Sequence, residues 1–181
     1  TLWGVGENGM ILRSLNGGMD WEIISSPTIK DLRDIHFFNS NIGWIVGKTG
    51  TILITTDGGD NWIEQVSTTT RTLYAVDAVD DNELWIAGRS GTILHSLDGG
   101  ETWNQVNSDV SSRLEDIWFT DLLNGWSVGS NGTILHTENG GESWESLDSG
   151  LQEDPWFYGV HFNQTNKGWI CGSNGTIIKT I

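Results

Sequence analysis

A turn motif that returns every 41 residues constrains this chain more than any other feature. Ser96-Leu97-Asp98-Gly99-Gly100-Glu101-Thr102-Trp103 is one copy, and the others run from Ser14 to Trp21, Thr55 to Trp62 and Thr137 to Trp144. A hydroxyl, an Asp or Asn, two glycines and a tryptophan suit a tight turn between strands. The Asx side chain accepts hydrogen bonds from backbone N–H groups, the glycines supply positive φ, and the tryptophan anchors the next strand. Trp21, Trp62, Trp103 and Trp144 are therefore expected in equivalent buried settings. Asn16 and Asn139 stand in the column of Asp57 and Asp98. That interchange assigns all four to turn capping rather than to calcium or acid–base chemistry.

Around this turn the repeat resolves into four strands, A to D. Strand A is Leu32–Phe37, Leu73–Ala78, Leu114–Phe119 and Phe157–Phe162. Strand B carries Trp-x-x-Gly, starting at Trp3, Trp44, Trp85, Trp126 and Trp169. A two-residue loop then reaches a second glycine, a hairpin signal, and Gly-Thr-Ile-Leu opens strand C. The Asx-Gly-Gly turn follows, and its tryptophan begins strand D. No segment shows a 3.6-residue apolar period with helix caps. The chain reads as all-β, and a period of this length predicts a β-propeller. The repeats run approximately over 1–31, 32–72, 73–113, 114–156 and 157–181 of a single repeat domain. These are about five four-stranded antiparallel blade units with the end blades incomplete, either as a set of five or as a slice of a larger ring.

Composition narrows the partners. The net charge of −15 argues against nucleic acid and against anionic membrane surfaces. No run is long enough to insert directly into a membrane, and the chain contains no signal peptide. Cys171, the one cysteine, excludes an internal disulfide. It shares a column with Val5, Val46, Ala87 and Val128, which predicts a small buried side chain. His36 and His161 fall in strand A, His95 and His136 in strand C, too dispersed to share a metal. Asp77 joins His36 and His161 in one column, a polar lining for a central channel. No metal or cofactor is expected.

Antiparallel order places the B–C turns and D–A crossovers on one face and the Asx-Gly-Gly turns on the other. Lys30, Lys48, Arg71, Arg89 and Arg113 belong to the first face. Asp57, Asp60, Asp98, Glu101 and many other acids belong to the second. Repeat positions are committed to packing, so recognition falls to side chains that break the repeat. Those are Arg71, Arg89, Arg113 and Trp156, with Arg33 and Tyr158 at the start of strand A. Arginine and aromatics carry much of the energy of protein interfaces, so a protein partner with an acidic segment is expected on this face.

The run Gly43-Trp44-x-x-Gly47-x-x-Gly50-Thr51-Ile52-Leu53-x-Thr55-x-Asp57-Gly58-Gly59-x-x-Trp62 resembles the Asp-box, or bacterial neuraminidase, repeat. The fusion of these elements is similar to the photosystem II stability and assembly factor family and to related exported bacterial propellers. The resemblance implies a non-enzymatic propeller that helps to assemble a membrane complex from the lumenal or periplasmic side. Localisation outside the cytoplasm (periplasmic, lumenal or extracellular) follows from it. The reading is thus a non-catalytic protein-binding or assembly scaffold. A lectin-like carbohydrate-binding propeller and a glycosidase or sialidase fragment are the alternatives. Sialidase chemistry requires converging arginines and a Tyr–Glu pair. Tyr74, with Glu115 on a neighbouring blade, offers raw material for the pair, but the arginines sit in separate columns.

Overall fold

Apolar residues alternate with a period of two on either side of each turn, and the chain builds strands from them. The computed structural model describes residues 1–164 and 167–180. Five antiparallel sheets follow one another, each made from one contiguous stretch. The first comprises β1 (Leu2–Val5), β2 (Ile11–Ser14) and β3 (Glu22–Ile24). The second holds β4 (Leu32–Phe37), β5 (Gly43–Gly47), β6 (Ile52–Thr55) and β7 (Ile63–Gln65). The third holds β8 (Leu73–Ala78), β9 (Leu84–Gly88), β10 (Ile93–Ser96) and β11 (Asn104–Val106). The fourth holds β12 (Leu114–Phe119), β13 (Gly125–Gly129), β14 (Ile134–Thr137) and β15 (Glu145–Ser146). The last comprises β16 (Phe157–Gln164), β17 (Lys167–Gly172) and β18 (Ile177–Lys179). The inner strands β4, β8, β12 and β16 pack side by side in chain order, the arrangement of blades in part of a propeller.

The β5–β6 hairpin turns through Thr49 and Gly50, both at positive φ as a type I′ turn requires. A Cβ on Gly50 would also strike the carbonyl oxygen of Thr69 in the following crossover. The C strands consequently begin two residues after the glycine, at Ile52 rather than Gly50. Every inner strand carries a bulge in its first turn of pairing, where Arg33, Tyr74, Glu115 or Tyr158 is the extra residue.

Sheets lock together through the repeated tryptophans. Trp85 is fully buried, stacked between His95 of its own sheet and Phe119 of the next, at 3.8 and 4.7 Å between ring centroids. Its far edge meets Trp144 and lies so close to Gly141 that a Cβ there would collide with the ring. Trp44 reaches forward the same way, its Nε1 donating to the Gly99 carbonyl at 2.9 Å.

Two expectations are corrected here. Trp62, Trp103 and Trp144 are buried, each met by a strand-B tryptophan from the preceding sheet, but Trp21 is 46% exposed because none meets it among the described residues. Cys171 is exposed, unlike Val46, Ala87 and Val128 in its column, because among the described residues no further sheet covers that side of β17. The Asn163-Gln164-Thr165 glycosylation pattern, better read as turn chemistry, falls partly outside the described residues.

Candidate functional site

The bulges on the inner strands set up two columns of side chains on one face. One is the residue preceding each strand: Asp31, Thr72, Arg113 and Trp156. The other is the bulged residue itself: Arg33, Tyr74, Glu115 and Tyr158. Bulges commonly re-aim side chains in this way. Across three successive blades the columns converge. The Arg113 guanidinium lies 3.8 Å from the Tyr74 ring centroid of the preceding blade and 5.3 Å from that of Trp156 in the following one. Arg113 Nη2 donates to Glu115 Oε2 at 2.8 Å, and Trp156 Nε1 donates to Glu115 Oε1 at 2.7 Å. Trp156 stacks loosely on Tyr158, 6.3 Å between centroids. Trp156 and Tyr158 remain 39% and 54% exposed, so a rigid aromatic surface faces solvent beside a guanidinium. Such a surface can hold planar or carboxylate groups by stacking and charge-assisted hydrogen bonds.

The other arginines on this face make separate contacts. Arg33 donates to Asp31 at 3.3 Å, and Lys48 pairs with the same carboxylate, holding it below the usual carboxylate range. Arg71 donates to the Ser90 carbonyl and to Thr92 Oγ1, tying its crossover to the next hairpin. Arg89 is exposed, and its guanidinium makes no ion pair or hydrogen bond among the described residues. Tyr74 meets Arg113 through its ring face rather than forming a Tyr–Glu pair with Glu115.

On the opposite face, each Asx side chain closes its own turn. Asp98 Oδ1 accepts from the Ser96 hydroxyl and the Thr102 N–H, both at 2.8 Å. Asp57 does the same with Thr55 and Asn61, and the Asn61 and Thr55 hydrogen bonds lower its pKa to about 2. Asn16 and Asn139 accept from the Asp20 and Ser143 N–H groups.

The carboxylates of the inner strands form a third group, of which the sequence singled out Asp77 alone, as channel lining. Asp34 Oδ2 accepts from Val76 N at 2.9 Å, Asp77 Oδ2 from Phe119 N at 2.7 Å, and Asp116 Oδ2 from Val160 N at 2.8 Å. Each bond crosses to the next blade. Burial pushes all three pKa values up, Asp77 to about 6 and Asp116 to about 7. Burial also lowers His36, whose Nδ1 lies 3.7 Å from Asp77. Among the described residues no three His, Cys, Asp or Glu side chains converge as metal ligands. The strand-C histidines, His95 and His136, stack on Trp85 and Trp126. Only Asp77 stood out in the sequence, as a lone acid inside the otherwise uncharged strand Leu73–Ala78.

A family model described as photosynthesis system II assembly factor YCF48 matches residues 13–114 and 101–181. No curated protein gives a significant sequence match. Among solved structures, YCF48 bound to a D1 peptide is 18% identical with a TM-score of 0.52, over 99% of this chain and 87% of that one. YCF48 from Cyanidioschyzon merolae is 18% identical with a TM-score of 0.59, over 98% and 76%. A GH74 enzyme from Niastella koreensis superimposes with a TM-score of 0.79 at 14% identity, over 98% of this chain but 33% of the enzyme. These likenesses establish the propeller fold. Together the two stretches of the family match take in nearly the whole sequence, and the chain belongs to the photosynthesis system II assembly factor YCF48 family.

Proposed function

We propose that this protein is a non-catalytic assembly scaffold that binds a polypeptide on the face where its inner strands begin. The observation that carries this reading is the exposed arginine–aromatic cluster of Arg113, Trp156 and Tyr158, built jointly by three blades. Arg89, Arg71 and Arg33 belong to the same proposed docking face. Aromatic rings supply contact area at low entropic cost, and the arginines favour a segment carrying carboxylates. A relative in the family has been solved with a D1 peptide bound, which supports a peptide as the class of partner. The family resemblance also supports export to a lumenal or periplasmic space.

The test is binding of the purified chain to arrays of acidic peptides and of glycans. Acidic peptides are expected to bind, and replacing Arg71 and Arg113 by Glu to abolish the signal. Neutralising Asp60 and Glu101 on the opposite face is expected to leave it intact. Multivalent binding to glycans without peptide binding would favour a lectin instead. Loss of peptide binding in the Asp60 and Glu101 variant would move the docking face.

A further inference from the structure

Among the described residues the inner strands of neighbouring blades share no backbone ladder. Carboxylates tie them side by side instead. Through Val76, Phe119 and Val160, the bonds from Asp34, Asp77 and Asp116 chain β4 to β8, β8 to β12, and β12 to β16. The second oxygens of Asp34 and Asp116 accept from Ile35 and Ile117 of their own strands, both at 2.9 Å. We propose that Asp34, Asp77 and Asp116 form a proton-operated clasp that holds the inner strands together when neutral and loosens them when ionised.

The surroundings give the clasp its sensitivity. Among the described residues no Lys or Arg pairs with these carboxylates. The titratable groups facing them are His36 on β4, beside Asp77, and Cys171 on β17, which flanks Gly159 together with Asp116. His161 on β16 lies against Trp118 of β12. Three acids therefore share one largely desolvated region with His36 as a basic neighbour and no Lys or Arg partner among the described residues, and each one's charge opposes ionisation of the others. Burial is the largest cause of the raised pKa values and repulsion among the three adds to it, while the backbone N–H bonds oppose it.

The sign follows by linkage. An Asp starts from 3.8 in the open chain, and Asp77 and Asp116 titrate at about 6 and about 7 when folded. Their contribution to stability is complete below the open-chain value. It is lost as the pH rises through 6 and 7. The blade arrangement would thus respond to pH in the range across which compartments differ. This inference is independent of what docks on the arginine–aromatic face.

The experiment follows the carboxyl carbons by NMR, and thermal unfolding, from pH 4.5 to pH 8. Wild-type protein is expected to bind about two more protons folded than unfolded near pH 5, and to lose them by pH 8 as its Tm falls. Asp77→Asn with Asp116→Asn keeps one accepting oxygen at each position, for Phe119 and Val160, and should flatten that slope, with the Tm at pH 5 lowered by loss of the Ile117 bond. Glu101→Gln, on an exposed turn, should leave the slope unchanged. A slope that persists in the double variant overturns the proposal. So does wild-type titration of both carboxyls below pH 5, a measurement that stands even if the double variant fails to fold.

Discussion

At the outer rim, Asp57 and Asp98 sit in exposed turns. At the axis, Asp34, Asp77 and Asp116 sit among packed inner strands. Both sets accept backbone N–H bonds of similar length, 2.8 Å from Thr102 to Asp98 and 2.8 Å from Val160 to Asp116. Yet the rim carboxylates are held below the usual range while the axial ones are pushed above it. The hydrogen bonds favour the anion in both places, so desolvation decides the sign at the axis. At the rim, water solvates whatever the turn does not, and the same residue type becomes a plain cap.

Removing an axial acceptor should break this contrast most severely. Asp116→Ala strands the Val160 and Ile117 N–H groups among packed strands, and urea unfolding should show a loss of about 3 kcal/mol. Asp116→Asn should recover part of it, since its single carbonyl oxygen serves one of the two N–H groups. An alanine variant as stable as wild type would mean that water replaces the carboxylate and the axis is wet.

The next effect is the shape of the stability curve. Rim carboxylates contribute above the open-chain value of 3.8, and Asp57 loses that contribution as the pH falls through about 2. Axial ones contribute below it and lose as the pH rises through 6 and 7. Stability measured by denaturant titration should therefore peak between about pH 4 and 5, and the double Asn variant should move that peak upward. A peak near pH 7 in the wild type would show that the axial acids are solvated.

The smallest effect belongs to the rim. Asp98→Ala should lower the Tm by a few degrees, because water can replace the carboxylate as acceptor. Calcium should not restore it. A calcium-dependent rise in the wild-type Tm would turn the cap into a ligand.

The period of 41 residues made three inner strands legible to the residue, Leu32–Phe37, Leu73–Ala78 and Leu114–Phe119, while the fourth runs past Phe162 to Gln164. Burial was less legible, because a column records local register while cover comes from a neighbouring sheet. Trp85 and Trp169 occupy one column, yet the first is fully buried and the second 37% exposed. The arginine–aromatic cluster was half legible. Arg113, Trp156 and Tyr158 stand out as breaks in the repeat, but their convergence depends on a bulge and on Glu115 bridging two blades. The axial acids left the weakest trace. Ala75 and Gly159 stand where Asp34 and Asp116 do, and the acceptors' partners are main-chain N–H groups, which every residue but proline carries.

The stacking of Trp85 on His95 has an optical consequence. The two rings lie 3.8 Å apart and 10° from parallel, with Phe119 closing the other side. An excited indole readily passes an electron to a protonated imidazole in such contact, so Trp85 should emit less once His95 is charged. Burial lowers the pKa of His95, which places that dimming on the acid side of an ordinary histidine. Trp126 over His136 makes a second pair of the same kind. Trp156 and Trp169 are more exposed, and their indoles should emit to the red of these buried ones. Intrinsic fluorescence, resolved by wavelength and pH, thus distinguishes events between the blades from events on the open faces without any added label.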